Sequence, residues 1–184
     1  MHDILITLGD AAGVGPEIIV KLLSGLDVGQ RLRNLVIGEQ WILEETASRL
    51  NCDLKFCSGN SSDDRSVKVE SLNLLQPGDF NIGRLSKKCG DAAYAYFFHA
   101  VEACLADKAR GIVTAPLNKE AMNRAGHPFI GHTEILEKMT GQSVVMSLVH
   151  PRVFVSHVTD HLPLKKALEA VTPKRIVEVV QLTW

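Results

Sequence analysis

The chain has 184 residues, of which 46% are hydrophobic and 22% charged, with 20 Lys+Arg set against 21 Asp+Glu for a formal charge of -1. Such a composition supplies a sizeable buried core and excludes disorder, and it leaves no net field to recruit nucleic acid or an anionic membrane, so the expected partner is a small molecule or another protein. Met1-His2-Asp3-Ile4 runs straight into an apolar strand pattern without the marks of a secretion signal, and no apolar stretch approaches the roughly 20 residues of a membrane-spanning helix, so a soluble cytoplasmic protein is expected.

Ile4 to Leu8 reads as a strand ending in Gly9-Asp10, and Gly15-Pro16-Glu17 opens a helix to about Ser24, with Pro16 in the first turn where its missing N–H has no partner to lose. Leu35 to Gly38 is a second strand and Gln40 to Leu50 a second helix. Residues 58–66 form a polar surface loop with no assigned role. Ala93, Phe97, Ala100, Val101, Cys104 and Leu105 repeat at helical spacing between Gly90 and Lys108, and Gly111 to Ala115 follows as a buried strand. The Phe97-Phe98 pair is read as packing.

Val144 to Val149 and Val153 to Thr159 are β-branched runs separated by His150-Pro151-Arg152, which suits an antiparallel connection and lends an otherwise parallel sheet mixed strands. Thr172-Pro173 caps and starts a last helix, whose apolar face runs to Trp184 without a Gly cap or polar finish, as though more protein belonged downstream. Alternating strand and helix signals give an α/β fold with a largely parallel sheet. No internal repeat and no obvious interdomain linker is visible. Cys52, Cys57, Cys89 and Cys104 are scattered without a C-x-x-C pair and are read as free thiols, none a nucleophile or ligand, with Cys104 a small core residue.

Four loops could carry chemistry. Gly9 to Glu17 lies between a strand and a helix, where backbone N–H groups can face an anion. The G-x-G-x-x-G spacing of a dinucleotide fingerprint fails because Ile18 stands at the third glycine, and a plain tight turn explains the loop as well as a ligand does. Thr114-Ala115-Pro116-Leu117-Asn118-Lys119 sits at the carboxyl end of a strand, where α/β sheets place ligands, so Lys119 would meet a phosphate or carboxylate there unless it is a solvated charge. Gly126 to Glu134 brings His132 and Thr133 to a helix N-terminus, as an anion grip or with Thr133 merely as the cap.

In the fourth loop, Ser156 to Leu164, His157 and His161 are four apart. Along a strand that spans roughly 13 Å, too far for both to share one ion held at about 2 Å. His161, at the strand end, is the better placed for a metal, and His157 within the strand is read as packed or paired. His2, His99, His127 and His150 are read as structural or surface.

In order and spacing these loops resemble the 4-hydroxythreonine-4-phosphate dehydrogenase family: Gly9-Asp10 followed by Ala12-Gly13-Val14-Gly15-Pro16-Glu17, then Thr114-x-Pro116-x-x-Lys119, then Pro128-Phe129-x-Gly131-His132-Thr133-Glu134, and finally His161-Leu162-Pro163-Leu164. The opening loop is also similar to that of isocitrate and isopropylmalate dehydrogenases. The resemblance implies a three-layer α/β/α fold with a mostly parallel, mixed sheet, like that of isocitrate and isopropylmalate dehydrogenases, and residues 1–184 as the N-terminal portion of a two-domain enzyme. It further implies a homodimer oxidising 4-phosphooxy-L-threonine with NAD or NADP, decarboxylation to 3-amino-2-oxopropyl phosphate in vitamin B6 biosynthesis, and a divalent metal (Zn, Mg or Co).

On that resemblance His132 and Thr133 bind substrate, His161 is one of three histidines on the metal, and Lys119 serves substrate binding or proton transfer. Most nicotinamide contacts and the other metal histidines would lie in a downstream half that this chain lacks, leaving the segment inactive alone. Ala11 stands where proline is common, and Asp160 where threonine is common. Asp160 could hydrogen-bond His161 and fix its tautomer, or mark a sister dehydrogenase of threonate or erythronate 4-phosphate. A non-catalytic phosphate-binding or dimerisation module and a metal-dependent phosphatase are the readings from other classes.

Overall fold

The computed structural model describes residues 3–58 and 66–184. His2 and most of the polar loop at 58–66 therefore lie outside the described residues. The chain divides into two compact units, Met1–Ile130 and Gly131–Trp184. The boundary falls inside the third loop, between Ile130 and Gly131, where no linker-like composition announces it.

The first unit is built on a five-stranded sheet in the order β3-β4-β2-β1-β5, with β1 Ile4–Thr7, β2 Asn34–Gly38, β3 Phe56–Ser58, β4 Val67–Ser71 and β5 Ile112–Thr114. All four pairings are parallel, with Leu5 opposite both Leu35 and Ile112. Helices α1 (Gly15–Gly25) and α3 (Gln40–Arg49) pack on each other. The crossovers that carry them progress from β1 towards β3, and right-handed connections put both helices on one face. The return from β4 to β5 runs the other way, which places α4 (Lys87–Leu105) on the opposite face, against β1, β2 and β5. The result is the expected α/β/α sandwich.

Short elements escaped the sequence reading. α2 (Val28–Leu32) is a five-residue helix held by a capping box between Asp27 and Gln30, and β3 and β4 are brief strands flanking the polar loop. β5 is not the buried strand expected from its apolar run: among the described residues it pairs only with β1, and as an edge strand it leaves Val113 47% exposed. In α4 the buried stripe runs from Cys89 through Tyr96 and Phe97 to Ala100 and Val101, but Leu105 in the last turn is exposed.

Helix α5 (Lys119–Arg124) packs on α4 where Gly90 has no side chain; a Cβ there would run into the Ala121 carbonyl. All four cysteines are free thiols, with Cys89 buried and Cys104 packed at the core margin.

The second unit carries α6 (His132–Thr140), the hairpin strands β6 (Ser147–His150) and β7 (Val153–Ser156), α7 (Leu164–Ala170) and α8 (Pro173–Thr183). The antiparallel pairing expected here is present, but as a separate two-stranded sheet rather than as mixed strands in the main one. Thr172 caps α8 by accepting from the Arg175 N–H, with Pro173 in the first turn as the sequence suggests. No helix among the described residues is long and apolar enough to cross a membrane.

Candidate functional site

Two of the four sequence loops meet at the carboxyl edge of the sheet. β1 connects leftwards to β2 while β5 is added on its other side, so the crevice between the ends of β1 and β5 is a topological switch point, the usual ligand position of open α/β sheets. The Asp10 N–H donates to the Pro116 carbonyl at 2.9 Å, and the Ala115 N–H donates to Thr7 at 3.1 Å. Gly9 makes this approach possible: its φ is +67°, and a Cβ would stand 2.5 Å from the Pro116 oxygen. The tight-turn reading of the first loop is thus correct for Gly9 whatever else the loop does.

Lys119 opens α5 just beyond that crevice. Asn118 caps the helix by accepting from the Ala121 N–H at 3.0 Å, which leaves the Lys119 side chain exposed at the first helical position. Asp10 is a candidate that the sequence reading left without a role. Its carboxyl is buried at the end of β1, Oδ1 accepts from the Ala12 N–H at 3.0 Å, and burial raises its pKa above the ordinary carboxylate value. A Gly-Asp pair closing an apolar strand was the available signal. Cys89 is fully buried, and burial pushes its thiol up, as suits an unreactive core cysteine.

The other predicted residues belong to the second unit. His132 and Thr133 are the first two residues of α6, whose N-cap is Gly131 with no side-chain cap. Thr133 is therefore not the cap. The amides of a first turn have no acceptor within their own helix, and the positive end of the helix dipole favours an anion. Burial lowers the pKa of His132, which favours its neutral imidazole.

His157 does not lie within a strand: β7 ends at Ser156, and the His157 N–H donates to Met146 at 2.9 Å just beyond it. His161 stands further along the loop with a left-handed backbone (φ 49°) and an exposed ring whose Nε2 is 3.5 Å from Asp160 Oδ1. That places the Asp160 carboxylate beside the imidazole, the pairing its sequence position suggested. Among the described residues no group of three or more His, Cys, Asp or Glu converges to hold a metal ion. Among the described residues His161 stands as a single candidate donor rather than as part of a donor set.

The remaining histidines have structural partners. His99 Nε2 lies 2.9 Å from Glu70, His127 Nε2 lies 2.7 Å from Asp91, and His150 Nδ1 accepts from the Arg152 N–H at 3.3 Å.

The sequence matches the family described as pyridoxal phosphate biosynthetic protein PdxA over residues 30–184. It is 39% identical over 181 residues to a D-threonate 4-phosphate dehydrogenase of Cupriavidus necator, covering 96% of this chain and 54% of that one. It is 34% identical over 186 residues to a 4-hydroxythreonine-4-phosphate dehydrogenase of Geobacter metallireducens, covering 98% and 55%. The crystal structure of a 4-hydroxythreonine-4-phosphate dehydrogenase from Burkholderia phymatum superposes with a TM-score of 0.87 at 37% identity, over 98% of this chain and 56% of the other. The chain thus spans about half the length of the relatives it matches. By sequence and by fold, the chain belongs to the PdxA family.

Proposed function

We propose that this chain is the substrate-gripping portion of a nicotinamide-dependent dehydrogenase that oxidises a 4-phosphorylated hydroxy acid. The observation that carries the reading is the opening of α6: a neutral His132 and the Thr133 hydroxyl occupy the first turn of a helix whose N-cap, Gly131, has no side chain to cap it. Both donate hydrogen bonds to a phosphate there, and the helix dipole adds to the attraction.

Lys119 meets the substrate's carboxylate or takes the proton of the alcohol being oxidised. In such a reaction NAD or NADP would take up the hydride, and a divalent ion (Zn, Mg or Co) would supply Lewis acidity at the substrate oxygen. His161 would be one donor to that ion; because the chain spans about half the length of the relatives it matches, we assign the remaining donors and most of the nicotinamide site to the part of those relatives that it does not cover. The roles derived for this chain accordingly stop at binding and proton transfer.

The substrate is 4-phosphooxy-L-threonine, whose β-keto product loses carbon dioxide to give 3-amino-2-oxopropyl phosphate. A second reading, D-threonate 4-phosphate, is favoured by the 39% identity to the Cupriavidus enzyme against 34% to the Geobacter one. The test gives the full-length enzyme that contains this segment each phosphorylated acid with NAD or NADP and a divalent metal, and follows nicotinamide absorbance and free phosphate. Reduction with one acid and not the other identifies the substrate. Phosphate release without nicotinamide reduction would sink the dehydrogenase in favour of a phosphatase. Metal-independent calorimetric binding without turnover would leave a phosphate-binding module.

A further inference from the structure

Just upstream of the His132-Thr133 turn the chain passes through a clamp that the proposed chemistry does not use. Along α4, Asp91, Tyr94 and Phe98 are spaced i, i+3 and i+7 and share one face. His127 stacks on Tyr94 with ring centroids 3.9 Å apart and planes inclined by 13°, and its Nε2 reaches Asp91 Oδ1 at 2.7 Å. Phe129 lies parallel to the same tyrosine at 5.7 Å and 6°, and Phe98 backs it at 5.9 Å. Pro128 sits at the apex of a tight turn closed by the Phe129 N–H donating to the His127 carbonyl at 2.9 Å.

The backbone of the same turn is tied to α5. The Asn123 side-chain amide donates to the Lys119 carbonyl at 2.7 Å and to the Phe129 carbonyl at 3.3 Å, while the His127 N–H donates to Met122 at 3.1 Å. Residues 127–129 thus have their rings fixed on one helix and their backbone on another. Connecting loops ordinarily have neither restraint. A turn needs no aromatic stack to reverse the chain, whereas a loop that must present ligand-binding groups gains affinity from being ordered beforehand.

We infer that Asp91, Tyr94, Asn123 and His127 are positioning residues: they immobilise the chain entering the His132-Thr133 turn, so that closing on a phosphorylated ligand costs less ordering. The inference rests on the reading of His132 and Thr133 as the phosphate grip. Its test is amide hydrogen exchange over residues 126–134, measured beside calorimetric affinity for D-threonate 4-phosphate and 4-phosphooxy-L-threonine, in wild type, Tyr94→Phe, Tyr94→Leu, Asn123→Ala and His127→Ala.

Tyr94→Leu, Asn123→Ala and His127→Ala are expected to speed exchange at 130–134 and to weaken binding about tenfold, and Tyr94→Phe, which keeps the ring, to match wild type in both. Unchanged exchange and affinity in Tyr94→Leu and His127→Ala overturn the inference, as does a loss in Tyr94→Phe equal to that in Tyr94→Leu. If neither acid binds the wild type, the phosphate grip fails while the exchange rates still decide the clamp. Should Tyr94→Leu not fold, His127→Ala and Asn123→Ala decide the same question from the loop side.

Discussion

The Tyr96 hydroxyl donates to Glu39 Oε1 across 2.9 Å, joining α4 to the end of β2 inside the core. The same side chain accepts from the Leu74 N–H at 2.8 Å and the Asn73 N–H at 3.2 Å, so a buried acceptor is satisfied by three donors and pins the chain leaving β4. Burial, followed by the nearby carboxylate, raises the Tyr96 pKa, and the phenol stays protonated as a donor at any ordinary pH. Tyr96→Phe removes one of the three donors and should cost about 1–2 kcal/mol, read as an earlier urea midpoint. Glu39→Ala orphans all three and should cost about 3 kcal/mol or more. An unchanged midpoint in Tyr96→Phe would show that the bond adds nothing.

Gly9→Ala tests the crevice at the ends of β1 and β5. The left-handed backbone alone costs an alanine about 1–2 kcal/mol, and its Cβ would also press on the Pro116 carbonyl. The variant should lose more than that sum in thermal unfolding and should loosen the segment leading to Lys119. Full stability would mean that the two loops separate without penalty.

What could be read from the sequence was what repeats locally. The β6–β7 hairpin announced itself through β-branched runs around His150-Pro151-Arg152, α8 through Thr172-Pro173, and the Gly9 turn through glycine and proline at fixed offsets. Pairings between distant residues carried no such signal: Glu39 with Tyr96 and Asp91 with His127 are 57 and 36 residues apart. The exposure of Val113 depends on what lies beyond β5, which the apolar run Gly111 to Ala115 does not encode. His157 was misplaced for a related reason, since β propensity continues past Ser156 although the strand pairing stops there.

Asp10 should show its burial in the pH dependence of stability. A carboxyl whose folded pKa is raised from 3.8 contributes stability that is fully present below the unfolded value and lost as pH rises through the folded one. At pH 7 the folded state therefore holds a carboxylate at a cost the unfolded chain does not bear. Asp10→Asn keeps the shape and the acceptor for the Ala12 N–H. It should equal wild type near pH 3 and gain on it by pH 7, measured by denaturant unfolding at both. The opposite trend would mean that the charge has a stabilising partner.

His132 reports on the phosphate grip directly. Its pKa is lowered from 6.5 by burial, so the stability linked to it is present above that value and is lost as pH falls through the folded pKa. A phosphate dianion at the start of α6 favours the imidazolium, so the ligand should raise the pKa again. Proton NMR titration of the ring, with and without D-threonate 4-phosphate, should show a midpoint below 6.5 that climbs on binding. A midpoint indifferent to saturating ligand would move the phosphate away from His132.

The hairpin of the second unit bears on the homodimer that the family resemblance implies. Val149 opposes Phe154 on one face beside the hydrogen-bonded Ser147 and Ser156 hydroxyls, while Leu148, Val153 and Val155 line the other. Val149 is 71% and Phe154 53% exposed, and neither strand pairs with another among the described residues. A two-stranded ribbon that is apolar on both faces is marginal alone and gains most from being covered. In a homodimer of the kind the family resemblance implies, a second copy would cover it with its own hairpin about a two-fold axis, each Phe154 against the partner's ribbon. Val149→Ser combined with Phe154→Ser removes two anchors of about 1.5–3 kcal/mol each, enough to raise the dimer Kd at least ~100-fold in sedimentation equilibrium. Far-UV circular dichroism checks that the hairpin survives the loss of its own Val149–Phe154 cross-strand pair. A wild type that sediments as a monomer removes the homodimer, and a doubly substituted protein that still sediments as a dimer moves the interface away from the hairpin.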